Sequence, residues 1–168
     1  RYAREESHLP SVRVLGAAVD GMLEELQALR GAPVMDPYTG PAVLLPRAAG
    51  VLFHEAIGHR LEGHRQEDSE EGRTFAHSVN KSILPSFISV ADDPTVSAHD
   101  GVQLNGFYQY DDEGIVAARA QLVDRGKLVG FLMRRKPVKG GFNQSNGHGR
   151  AEGISSPVSR MGTLIVEG

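Results

Sequence analysis

The sequence predicts an α+β fold, on three observations. Residues 11–30 carry Leu15, Val19, Met22, Leu26 and Leu29 at helical steps of three and four. Residues 47–61 form a second helical stretch, apolar through Val51, Leu52, Phe53, Ala56, Ile57 and Leu61 and therefore expected to be largely buried. Beyond them the texture turns to short segments rich in β-branched and aromatic residues, broken by turn formers. Helices first and strands afterwards argue for two N-terminal helices followed by a mainly antiparallel β region, not for βαβ winding.

Each element has its local reason. The first helix is stopped by Gly31 with Pro33 behind it. MDPYTGP then supplies turn chemistry, and residues 42–45 (AVLL) read as a short strand that Pro46 ends. The second helix follows, and QEDSEEGR at 66–73 reads as a charged, solvated loop. ILPSFISVADD, GFYQYDDEG, IVAARAQLVDRGKLVGFLMRR and RMGTLIVEG are the strand segments, separated in one place by the glycine-rich KGGFNQSNGHGRAEG. Residues 121–132 form the clearest hairpin, with Asp124-Arg125-Gly126 at its turn. DDEG at 111–114 lacks the alternating oxygens of a calcium loop and reads as a turn. The chain is thus read as a single piece with a helical part at 1–65 and a β-rich part at 66–168.

Composition excludes several classes of function. With Lys plus Arg at 18 and Asp plus Glu at 21, the net charge is −3, no electrostatic reason to expect nucleic acid or an anionic membrane as partner. No apolar run approaches the ~20 residues of a spanning helix, and RYAREESHLP holds no secretory apolar core. The absence of cysteine rules out thiolate ligands and disulfides within these 168 residues. A cytoplasmic setting is expected. Because the chain opens on Arg1 and stops in an apparent strand, it is expected to be a piece of a longer protein.

The chemistry concentrates in HEAIGHRLEGH, from His54 to His64. In the zinc-protease signature H-E-x-x-H, two histidines share one helical face and the glutamate is the general base. Here three residues separate Glu55 from His59, so the histidines are five apart. On a regular α-helix five residues rotate a side chain by about 140°, which would point the two imidazoles apart. A π-turn, closing i to i+5, would return them to one side, and Gly58 weakens the regular helix where that turn would form. Two readings stand on spacing alone: a shared metal ion, with the charge of Glu55 on a buried helix needing a partner, or two separate histidines of a core helix. His64 lies five further on, but Gly63 intervenes and a loop histidine is the simpler reading. Glu62 either accepts a hydrogen bond from an imidazole or is a plain surface carboxylate.

GVLFHEAIGHRLEGHR resembles the motif region of the TldD/PmbA family, on the TldD side, whose members carry HExxxH on a helix. The resemblance continues through DPYTGPAVLLPRAAG, VADDP, FYQYDDEG, LVDRGKLVGFL, SNGHGR and the segment holding Pro157, Arg160 and Met161, in family order. It implies a zinc-dependent peptidase acting on unfolded or flexible peptides. It also implies an assembly of two subunits, either a homodimer or a heterodimer with a PmbA-like chain that lacks the motif. On this resemblance His54 and His59 are the zinc ligands and Glu55 is the general base, which takes the proton of the attacking water and passes it to the leaving amine. The family's remaining ligand is a cysteine well after the arginine–methionine segment. It would lie beyond Gly168, and the chain taken alone is then expected to bind zinc weakly and to be inactive. In SNGHGR, Asn146, Gly147, His148 and Arg150 are candidates for holding substrate, against the plainer reading of a mobile loop between strands.

Two other functions compete. One is a non-catalytic peptide-binding module or subunit-interface domain, holding an extended chain against a sheet edge. The other is the dipeptidyl-peptidase family with its similar HExxGH core. Those proteins take a distant glutamate as ligand within a helical fold. EEGR at 70–73 is too close to His59 for that, and the β-rich second half argues against it.

Overall fold

The computed structural model describes residues 6–67 and 73–168. Most of the charged loop at 66–73, with Glu70, Glu71 and Gly72 of the EEGR segment, lies outside the described residues. The chain divides into two compact units, Arg1–Val43 and Leu44–Gly168.

The first unit holds a 3-10 turn (Glu6–His8) and helix α1 (Val12–Gly31). Ser11 caps α1 by accepting the Val14 N–H at 3.4 Å, and the Ala32 N–H closes the other end on the Leu29 carbonyl. No residue of α1 is buried, its apolar stripe included.

The strand expected at 42–45, where the two units meet in the chain, does not form. These residues form no ladder, and Pro41 and Pro46 on either side can donate no backbone bond to one. Helix α2 (Pro46–Phe53) starts on Pro46, which suits a first helical position, and runs without interruption into a π-turn (His54–Gly58) and a 3-10 turn (His59–Leu61). The expectation of a largely buried helix holds only for its far end. Val51 is 63% and Leu52 50% exposed, and burial begins at Ile57. A second 3-10 turn spans Gly63–Gln66.

Among the described residues eight short strands follow: β1 (Ser89–Asp92), β2 (Ala98–His99), β3 (Val102–Gln103), β4 (Ala120–Asp124), β5 (Lys127–Leu128), β6 (Gly149–Arg150), β7 (Val158–Ser159) and β8 (Leu164–Glu167). The α+β class and the antiparallel β region are both observed. The main sheet has the order β5-β4-β1-β8, every pair antiparallel, with β2–β3 and β6–β7 as separate ribbons. Between β4 and β5 the turn forms where expected, with positive φ at Arg125 (44°) and Gly126 (79°), the backbone twist a tight hairpin requires. The segment GFYQYDDEG holds no strand, only a bridge between Tyr110 and Val116. Asp111 turns the chain there by accepting the Glu113 and Ile115 N–H groups.

The core lies between the sheet and the turns after α2, with Ile57 and Leu61 packed among Val90, Leu122, Val123, Leu128, Phe131 and Leu132. Backbone bonds join the same two parts: Leu132 donates to the Leu61 carbonyl at 2.9 Å, and Gly63 donates to the Leu132 carbonyl at 2.8 Å. A side chain at Gly63 would meet the Leu132 carbonyl at 2.7 Å and the Met133 sulfur at 2.6 Å. Gly63→Ala is therefore expected to cost about 1–3 kcal/mol, the usual scale of overpacking. Urea denaturation of the full-length protein checks this, as a lower midpoint with an unchanged slope.

Candidate metal centre

The odd spacing of the histidines is matched by odd backbone. At the end of the π-turn the His59 N–H donates to the His54 carbonyl, a bond from i+5 to i. That extra residue per turn cancels the misdirection a regular helix would impose. The two rings meet edge to face, with centroids 4.5 Å apart. Donor atoms of His54, Glu55 and His59 all lie within 4.8 Å of one another. His64, in the next 3-10 turn, is not part of this group.

Packing explains why the distortion falls here. Phe53, Ala56, Ile57 and Leu61 face the core, so the helix is held by its apolar side while His54 and Glu55 stay exposed. Gly58 sits against Met161 and Leu164, and a side chain on it would collide with the Met161 sulfur. Because Glu55 is exposed, its charge needs no metal to offset burial. The case for a metal rests on the convergence of donors instead.

Around His59 the structure is more elaborate. Its Nδ1 lies 2.8 Å from Oε1 of Glu62, and Glu62 is no surface carboxylate: it is fully buried. Arg65 Nε donates to Glu62 Oε2 at 2.6 Å, and Arg160 Nη1 reaches both oxygens at 3.1 and 3.0 Å. An open pocket of about 550 Å³ lies beside His54, lined by Ala49, Gly50 and Phe53 from α2 and by Leu164 and Val166 of the edge strand β8.

In the glycine-rich segment the side chains of Asn146 and His148 turn inward. Asn146 accepts from the Met133 N–H and donates to the Phe131 carbonyl. Gly147, at φ 76°, accepts the Tyr108 hydroxyl at 2.9 Å. His148 is completely buried: Nε2 lies 3.0 Å from Asp92 Oδ1, and Nδ1 lies 2.9 Å from both the carbonyl and the side-chain oxygen of Asn146. No ring nitrogen of His148 is left to polarise a substrate carbonyl in this arrangement. Arg150 stacks on Tyr108 at 4.2 Å and donates to Asp112. Burial pushes the Tyr108 phenol above its ordinary range despite the Arg150 cation. The Ala151 N–H, with Arg150, holds the Asp112 carboxyl below the usual carboxylate range. None of these four residues belongs to the group formed by His54, Glu55 and His59. Nothing local in VADDP or around Arg160 marks Asp92 or Arg160, because their partners lie 56 and 98 residues away.

Comparisons with known proteins point to one family. The family profile described as the PmbA/TldA metallopeptidase C-terminal domain matches residues 37–168. A metalloprotease of Methanocaldococcus jannaschii is 31% identical over 127 residues, covering 74% of this chain and 26% of the relative. A zinc metalloprotease TldD homolog of Saccharolobus solfataricus is 33% identical over 95 residues, 56% of this chain and 20% of its own length. Among solved structures, TldE from Thermococcus kodakarensis superposes with a TM-score of 0.57 at 21% identity, over 89% of this chain and 33% of that one, a likeness of fold. The chain thus spans about a quarter of the length of the curated relatives it matches. Among the described residues no helix is long and apolar enough to cross a membrane.

Proposed function

The chain belongs to the PmbA/TldA metallopeptidase family, and we propose on that footing that the full-length protein is a zinc-dependent peptidase cleaving flexible or unfolded peptides. The observation that carries this is the π-turn, which gathers His54, Glu55 and His59 within 4.8 Å. Two imidazoles and a carboxylate at that separation suit zinc in donor chemistry. When bound, zinc supplies Lewis acidity that polarises the scissile carbonyl and lowers the pKa of water. His54 and His59 hold the ion. Glu55, exposed beside them, accepts a proton from the attacking water and returns it to the departing amine. The pocket along β8 offers an apolar surface and a sheet edge on which an extended peptide could lie.

The remaining ligand, a cysteine on the resemblance to the family, is assigned to the part of the protein outside these 168 residues. The chain by itself is then expected to be inactive. A cytoplasmic setting and pairing with a second subunit, of the same or of a PmbA-like kind, complete the proposal. For Asn146, Gly147 and His148 the inward hydrogen bonds favour a supporting role over direct contact with substrate, whereas Arg150, paired with the half-exposed Asp112, stays a candidate for holding substrate.

The edge strand beside the pocket also favours a second reading, a peptide-holding module without chemistry. Zinc content and cleavage of an unstructured peptide by the full-length protein separate the two. His54→Ala is expected to abolish both, because one lost imidazole leaves the ion under-coordinated. Unchanged cleavage by His54→Ala, or by wild-type protein stripped with a chelator, would overturn the peptidase mechanism.

A further inference from the structure

Glu62 presents an unusual balance of charges. A fully buried carboxylate loses several kcal/mol of hydration unless charged donors replace it. One guanidinium would serve that purpose, yet Glu62 has two, Arg65 from its own turn and Arg160 from 98 residues further along the chain. Both arginine side chains reach the surface, at 37% and 43% exposure, while the carboxylate between them has none. Its further partner is the Nδ1 of His59. The oxygen that faces the ring, Oε1, also accepts from Arg160 at 3.1 Å, so the carboxylate is held in place as the imidazole meets it.

We infer that Glu62 is a positioning residue: clamped by Arg65 and Arg160, it accepts the Nδ1–H of His59 and so leaves the Nε2 lone pair of that ring for the ion. The inference rests on the metal-centre reading above and adds the device that prepares one of its ligands. An ionised carboxylate only accepts hydrogen bonds, so its imidazole partner must donate. The tautomer is thereby fixed before any metal arrives, and ring rotation is blocked by the 2.8 Å contact. Arg160 has a particular place in this. It precedes β8 and lies next to Met161, which packs on Gly58 inside the π-turn. One short segment therefore braces both the π-turn and the carboxylate that orients His59.

The test uses the full-length protein with 15N-labelled histidine, metal-free, the His59 signals being assigned by their loss in His59→Gln. The expected result is a proton on Nδ1 of His59 in the wild type. In Glu62→Gln, whose amide can donate as well as accept, a mixture of tautomers is expected, with His54 unaltered. Zinc affinity, read by chelator competition, should fall about 10–100-fold in Glu62→Gln, the usual effect of removing such a partner. It should fall less in Arg160→Met, where Arg65 still holds the carboxylate. A wild-type His59 protonated on Nε2, or wild-type zinc affinity in Glu62→Gln, would overturn the inference. Should Glu62→Gln fail to fold, the wild-type tautomer still decides. Should the wild type take up no zinc, the peptidase reading fails, while the tautomer of His59 independently upholds or overturns the role of Glu62.

Discussion

Glu55→Gln in the full-length protein is expected to keep its zinc and to lose about 10²–10⁴-fold in peptide cleavage, the scale of general acid–base assistance. The substitution preserves size and hydrogen-bonding shape but removes the basic oxygen. Exposure of Glu55 means that no packing is disturbed and no buried charge is removed, so stability should not move. The measurement is zinc stoichiometry beside cleavage of an unstructured peptide, with His54→Ala as the metal-free control. Cleavage at the wild-type rate would show that Glu55 is not the base. Loss of zinc along with activity would make Glu55 a ligand, an outcome the geometry permits, since its carboxylate lies in the same group of donors as the two imidazoles. The π-turn gives this alternative its interest. A backbone distorted enough to unite His54 with His59 also brings their neighbour Glu55 within reach of the same point.

What was legible in the sequence was local. A five-residue step between histidines, with glycine before the second, allowed a π-turn without requiring it, and the turn is what forms. Asp124-Arg125-Gly126 marked a hairpin because the turn residues carry its geometry themselves. Legibility failed where the answer depended on distant partners. Residues 42–45 have strand composition but no ladder, and residues 106–114 owe their shape to Asp111 and not to alternation. Counting apolar residues along α2 could not reveal that Val51 and Leu52 face away from the core. Between an imidazole's acceptor and a surface carboxylate the sequence could not choose for Glu62, because an arginine that packs over it is 98 residues away. The buried pairing of His148 with Asp92 spans 56 residues and has no local sign. The grouping of His54, Glu55 and His59 was readable since the three sit within six residues. The scaffolding behind it was not.

That scaffolding yields the largest stability effect expected here, from Asp92→Ala. Asp92 is fully buried on the central strand β1, and its Oδ1 accepts His148 Nε2 at 3.0 Å together with the N–H groups of Gly162 at 2.8 Å and Thr163 at 3.2 Å. Truncation leaves the buried His148 Nε2 and the half-buried N–H groups of Gly162 and Thr163 without their acceptor, and a buried group left unsatisfied costs about 1–3 kcal/mol, with the cavity adding to it. The damage would reach the metal centre, because the segment that Asp92 holds by Gly162 and Thr163 follows directly on Arg160 and Met161. Asp92→Asn distinguishes charge from shape. Its carbonyl can replace Oδ1 toward all three donors, whereas its amide would occupy the place of Oδ2, which finds no hydrogen-bond partner among the described residues. The asparagine variant should therefore lose less than the alanine variant, yet remain below wild type. Denaturation midpoints of the two, with zinc affinity measured on each, give the comparison. Equal stability of Asp92→Ala and wild type would show that the Gly162–Thr163 turn holds without the carboxylate. Loss of stability with unchanged zinc affinity would separate the Asp92 pin from the bracing of the π-turn by Met161.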